Sequence, residues 1–243
     1  MADNLFGDYI RQRRQAAWLT RTDLAKQANL SVSLIEKIEL GTRQPTLHAL
    51  QILFDTLDVA PMYRRHILDL SLPGLLGPPP PATPPKPGPD DLAALSAIET
   101  PASFYTLPTF TIIAANPAHQ QLFPGLLPGV SFPEWLFLNP AARNVIVDWR
   151  EEARRCLHSI RQLSPNAATE KRLSSILASC SQAPEWDDLW PDKDRRAFNP
   201  HLSVRSATTQ QTHELRVHTY SPEYPHRTWW LCHLVPTPPP PAS

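Results

Sequence analysis

The run GPPPPATPPKPGP, from Gly77 to Pro89, settles one point before any fold is considered: no single hydrophobic core passes through it. Proline has no backbone N–H and a fixed φ, so such a run is a semi-rigid extended spacer. The chain holds 29 prolines against 7 glycines, and they are clustered. A second cluster, PTPPPPAS, covers Pro236 to Ser243. A proline-binding partner domain is one use for such runs, and linkage is the plainer one. A chain of 243 residues suits two modest domains. The expected organisation is a first domain over 1–73, a linker over 74–91, a second domain over 92–235 and a tail over 236–243.

Composition excludes several classes. Formal net charge is zero, so any surface for nucleic acid must be local. Cys156, Cys180 and Cys232 stand far apart with no Cys-x-x-Cys pair, which argues against a disulfide framework or a zinc site and fits a reducing cytoplasm. The opening MADNLFGDYIRQRR is charged and amphipathic, unlike a signal peptide, and no apolar run approaches the length of a membrane span. The expected location is cytoplasmic, with no membrane partner.

In the first domain, Leu5, Phe6, Tyr9 and Ile10 recur at helical spacing. Thr20 and Asp23 form a capping box that starts a second helix, whose buried face is Leu24, Ala25 and Ala28. Asn29 sits where the chain must turn sharply, and asparagine tolerates left-handed backbone. Ser31 then caps a third helix with Leu34, Ile35 and Ile38 inward, and Gly41 suits the position just past its end. A fourth helix runs from Thr46 through Leu47, Leu50, Leu53 and Leu57, and a fifth follows Pro61.

Five short helices with a tight turn between the second and third describe an all-α helix-turn-helix bundle. The stretch TDLAKQANLSVSLIEKIELGTRQPT resembles the lambda-repressor-like, or XRE (Cro/cI), family of DNA-binding domains, over roughly residues 4–60. Asn29 stands where glycine is commoner in that family, and the bulky Trp18 stands where a small residue is usual. The resemblance implies that the helix from Ser31 enters the major groove of double-stranded DNA. Ser31, Val32, Ser33 and Lys37 match its base-reading positions, and Arg21, Thr42 and Arg43 its phosphate contacts. Arg14 and Glu39 match a pair that ties the first helix to the third. The alternative is an ordinary helical bundle with solvated charges; over residues 1–45 seven cations stand against five anions.

Beyond the spacer, ASFYTLP and TFTIIAAN read as two strands. A short helix follows in NPAHQQLF. A long one is expected from Ala141, with Val145, Ile146, Trp149, Ala153, Leu157 and Ile160 on one face. Another is expected from about Ala167 to Cys180, then a turn in EWDDLW. HLSVRSAT, HELRVHTY and RTWWLCHLV read as three final strands. This order gives an α+β domain, a five-stranded antiparallel sheet facing a helical layer. It resembles a PAS-like sensor fold. More closely, IETPASFYTLPTFTIIAANPAHQQLF, WLFLNPAARNVIVDWREEARRCLHSIRQL, PEWDDLW and LRVHTYSPEY resemble the C-terminal domain of MmyB-like transcriptional regulators.

That resemblance implies a small apolar, fatty-acid-like ligand governing the DNA-binding half, and a homodimer. The candidate lining is Phe104, Ile112, Phe123, Trp135, Phe137, Val145, Trp149, Trp190, Val204, Leu215, Val217 and Trp230. The alternative is that these side chains fill a core and the domain serves only dimerisation or protein recruitment. Asn116, Arg205 and His218 are candidates to orient a head group, or else surface and capping residues. Nine histidines carry no metal-ligand spacing, Asp187-Asp188 lacks the frame of a calcium loop, and no phosphate cradle or nucleophile elbow occurs. No metal, cofactor or catalytic residue is expected, and the reading is a regulator rather than an enzyme.

Overall fold

A computed structural model describes residues 4–72, 86–163, 171–191, 200–206, 209–221 and 229–237. The body of the proline run, the start of the helix expected from Ala167 and the end of the tail lie outside them. The chain divides into two compact units. The described residues among 1–80 and 158–171 form one, and those among 81–157 and 172–243 the other.

The first unit is helical, with α1 (Leu5–Ala16), α2 (Arg21–Gln27), α3 (Val32–Glu39), α4 (Leu47–Thr56) and α5 (Pro61–Ser71). Four of the five starts are capped by a side chain, and α5 begins on Pro61. Asn4, Thr20, Ser31 and Thr46 accept, through their side chains, a backbone N–H of the first turn, and Thr20 with Asp23 completes a capping box. The buried faces meet in Phe6, Ile10, Leu24, Ile35, Ile38, Leu50, Leu53 and Phe54. Each such side chain contributes about 1.5–3 kcal/mol by leaving water. Leu34, expected inward, is half-buried, and Leu47 of α4 is exposed. It sits in the first turn, before the apolar stripe of that helix engages the bundle.

Gly7 sets how closely α1 and α3 approach. A Cβ there would stand 2.4 Å from the Ile38 carbonyl oxygen, so the backbones touch where no other residue fits. Beside it, the Asn4 Nδ2 donates to the Glu39 carbonyl at 2.8 Å.

The second unit opens with α6 (Pro89–Ser96), then β1 (Ala102–Thr106), β2 (Thr111–Ala115) and α7 (Pro117–Leu122). The chain continues with α8 (Phe132–Leu138), α9 (Pro140–Val145), α10 (Trp149–Leu163), whose residues from 158 on count with the first unit, α11 (Lys171–Cys180) and α12 (Trp186–Leu189). It closes with β3 (His201–Arg205), β4 (Thr212–Tyr220) and β5 (Trp229–Pro236). The five strands form one antiparallel sheet in the order β2-β1-β5-β4-β3, so the last strand inserts between the first and the fourth. On one face α6 lays Leu95 over Ala102, Phe104, Ala114 and Trp229.

The single helix expected from Ala141 is in fact two. Ile146 takes extended backbone, bridges Val204, and Val147 donates its N–H to the Ser203 carbonyl at 3.1 Å. Val145, Ile146 and Trp149 stay buried across the break, so the apolar period survives while the helix does not. Backbone pairing with β3 replaces the helical hydrogen bonds at that point.

Glu39 is fully buried in the helical unit. Its Oε1 accepts from the Arg14 Nε at 2.6 Å, and its Oε2 accepts from the Arg14 Nη2 at 3.1 Å and the Arg21 Nε at 2.8 Å. Burial alone would push this carboxyl up, and the two guanidiniums override it and hold the group below the ordinary carboxylate range. A depressed folded-state value adds stability above the unfolded value, which is lost as pH falls through the folded one. Glu39→Ala is expected to destabilise the helical unit by about 3–5 kcal/mol, since it strands buried positive charge. Hydrogen exchange over α1–α4 checks this. In the unsubstituted chain the same helices lose protection below about pH 4, and in Glu39→Gln that acid step shrinks.

Candidate DNA-reading face and sensor interior

The turn between α2 and α3 is built as the residues require. Asn29 has φ of 50°, and the Leu30 N–H closes the turn on the Ala25 carbonyl at 2.9 Å. The chain then enters α3 through Ser31, whose Oγ accepts the Leu34 N–H at 3.1 Å. That bond uses a lone pair and leaves the Ser31 hydroxyl proton free to donate. Val32 is 43% exposed, and Ser33 and Lys37 are also exposed. The four base-reading candidates therefore share the solvent side of one short helix, whose other side carries buried Ile35, Ile38 and Glu39.

Thr42 and Arg43 fold back on the end of α3. Both donate their backbone N–H to the Lys37 carbonyl, at 2.9 and 3.3 Å, and the Thr42 hydroxyl donates there too at 3.2 Å. Among the described residues neither Lys37 nor Arg43 makes an ion pair. Arg21 differs. It is half-buried, with its Nε on Glu39 and its Nη1 3.5 Å from Glu36. Its hydrogen bond to Glu39, before any other cause, strengthens its hold on its proton. Arg21 is thus fixed at the start of α2, with part of its donor set spent inside the protein. Trp18, in the preceding loop, has φ of 57° and is 91% exposed.

The candidate lining of the second unit is not one surface. Val204, Leu215, Val217 and Trp230 share the sheet face opposite Phe104, by the alternation and register of β3, β4 and β5. Phe104 instead lies against Trp229, ring centroids 4.2 Å apart, beneath α6. Phe137 meets Trp149 and Trp186 edge-on, and the half-exposed Trp190 stacks on Trp186. Phe123 and Trp135 form another pair, in which the Trp135 Nε1 donates to the Pro124 carbonyl. Val145 is buried in α9 and Ile112 in β2. The face shared by Val204 and Trp230 also carries Ser103, Cys232 and Thr219, which pair in one row across β1, β5 and β4. Apolar patterning passes over that row, because its members are small and polar.

Of the head-group candidates, Asn116 is committed to structure. It is 2% exposed; its Oδ1 accepts from Ala102 and His119, and its Nδ2 donates to the Ile98 and Thr100 carbonyls at 2.7 and 2.8 Å. Arg205 and His218 lie on the same sheet face as Phe104, away from Val204 and Trp230. Among the described residues no group of three His, Cys, Asp or Glu side chains is placed to hold a metal ion, and no helix is long and apolar enough to cross a membrane.

Two family models match. Residues 89–242 match the MmyB-like transcription regulator ligand binding domain, and residues 5–67 match a helix-turn-helix domain. No curated protein matches the chain. Asn116→Ala is expected to cost about 3 kcal/mol, by unpairing four backbone groups at once, two of them in buried hydrogen bonds. Chemical denaturation followed by tryptophan emission checks it.

Proposed function

The chain belongs to the MmyB-like transcription regulator ligand binding domain family and carries a helix-turn-helix domain ahead of it, and from that premise we propose that it is a sequence-specific regulator governed by a small apolar, fatty-acid-like ligand. The observation that carries the DNA half is the exposed row Ser31, Val32, Ser33 and Lys37 on a helix fixed from behind by Glu39. Serine hydroxyls and the lysine ammonium suit base edges, and Val32 suits a thymine methyl. Thr42, Arg43 and the guanidinium edge of Arg21 serve phosphates. The Val204, Leu215, Val217 and Trp230 face supports the ligand half, with its apolar wall on one side of the sheet.

The mechanism is a population shift. A ligand that binds two conformations of the chain unequally changes the fraction competent for DNA. In a cytoplasmic homodimer that fraction is the one able to occupy both half-sites of a pseudo-palindrome.

Selection from random-sequence DNA, run with the full chain, tests this. A two-fold motif is expected, and Lys37→Ala with Arg43→Ala is expected to abolish enrichment. On the recovered site each single variant is expected to lower the magnitude of the salt-dependence slope by about 1 if it removes a phosphate contact. Loss of a base contact is expected to cost about 1–3 kcal/mol at one position. Equal binding of all sequences by the unsubstituted chain would refute sequence-specific reading.

A further inference from the structure

The loop between α1 and α2 holds a conformation that its sequence does not favour. At the end of α1 the Trp18 N–H donates to the Gln15 carbonyl at 2.9 Å, and the Leu19 N–H donates to the Arg14 carbonyl at 3.0 Å. That two-bond cap requires left-handed backbone at its central residue, a place usually given to glycine. Trp18 fills it, with φ of 57°. A bulky residue is strained there. Nothing inside the protein offsets the strain: the side chain is 91% exposed, and among the described residues the indole makes no hydrogen bond and no ring contact.

Although exposed, the ring stands on fixed backbone. The Arg14 Nη1 donates to the Leu19 carbonyl at 2.9 Å, and Glu39 holds the same guanidinium. Beyond the loop, Arg21 donates to Glu39 and lies 3.5 Å from Glu36, the chain neighbour of Lys37 in the exposed row of α3. The loop is therefore tied on both sides to the helix that carries the base-reading candidates. Fixed backbone lowers the ordering cost that an exposed side chain meets on binding.

Charge selects the partner. From Tyr9 to Thr22 the chain holds four arginines and no acidic residue. Among the described residues Arg13, one turn before the loop, makes no ion pair. A polyanion is attracted to such a segment. Trp18 precedes Arg21 by three residues, at most about 11 Å of chain. Phosphates of one DNA strand recur every ~3.4 Å of helix axis. A strand whose phosphate meets Arg21 thus offers sugar and phosphate within reach of the ring. The indole suits that surface, with apolar faces and an Nε1–H that only donates.

We propose that Trp18 is a DNA-backbone contact, its Nε1–H donating to a phosphate oxygen and its ring lying on the adjacent deoxyribose, beside the phosphate met by Arg21. This rests on the reading of the first unit as a DNA-binding module and adds a neutral anchor to it. Such a contact positions the protein without reading sequence, and it releases no counterion.

The test uses the full chain and two fluorescein-labelled duplexes, the selected site and a random-sequence pool, followed by anisotropy from about 50 to 200 mM salt. Trp18→Ala is expected to weaken both duplexes by the same factor, about tenfold, with an unchanged salt slope. Arg43→Ala, by contrast, lowers that slope by about 1. Trp18→Phe keeps a ring without the N–H and is expected to stay at least about threefold weak. Trp18→Gly relieves the left-handed strain, so it is expected to raise the thermal midpoint of the helical unit while weakening DNA as Trp18→Ala does. A purely structural tryptophan does not give that pair of results. Affinities of the Ala and Gly variants within about twofold of the unsubstituted chain, or full affinity of Trp18→Phe, overturn the inference. So does a loss confined to the selected site, or one that accompanies lost self-association in sedimentation, which makes the occupant a second copy. Failure of the unsubstituted chain to bind either duplex at low salt brings down the DNA reading as well.

Discussion

A single buried carboxylate organises the helical unit. Glu39 lies at the end of α3, Arg14 in the last turn of α1 and Arg21 at the start of α2, so the three ion-paired hydrogen bonds tie three helices at one point. Desolvating such a group is unfavourable, and the arrangement persists because each oxygen is met by a cationic donor. The Asn4 amide holds the Glu39 carbonyl, and Gly7 brings the α1 backbone against Ile38. The exposed side of α3 thereby inherits a fixed angle relative to α2, and recognition by side chains on one short helix requires that angle to be constant.

The first unit was legible because its signals are local. Capping residues at Thr20, Ser31 and Thr46, a left-handed Asn29 and the apolar spacing of α3 are properties of a few consecutive residues. Gly7 was not legible. Its role depends on a carbonyl more than thirty positions away, and nothing in its neighbours marks it. The same distinction explains α9 and α10. Helical periodicity runs unbroken from Val145 to Ile160, and the interruption is imposed by β3, which lies far along the chain. The aromatic residues of the second unit announce burial but not which cluster each joins. Phe104 and Trp230 both read as interior strand positions, yet the register puts them on opposite sides of the sheet.

One corner of the second unit is fixed by a buried polar side chain. Asn116 uses both side-chain atoms on backbone partners and joins α7 to the start of β1. That pattern makes a rigid corner.

The sheet has two edge strands, β2 and β3, and both are occupied by irregular backbone of the same domain. The connector between α9 and α10 bridges β3 at Val204. On the other side the residues before α8 bridge β2: Ile112 donates to the Val130 carbonyl at 2.9 Å, Gly129 donates to the Ile112 carbonyl at 2.8 Å, and Ser131 pairs with Thr111. An open edge is a template on which a foreign strand can add. With these positions filled, the pairing groups at Ile112 and Ser203 are already spent. Assembly of two copies by continuing the sheet from one molecule into the next is therefore blocked at those positions.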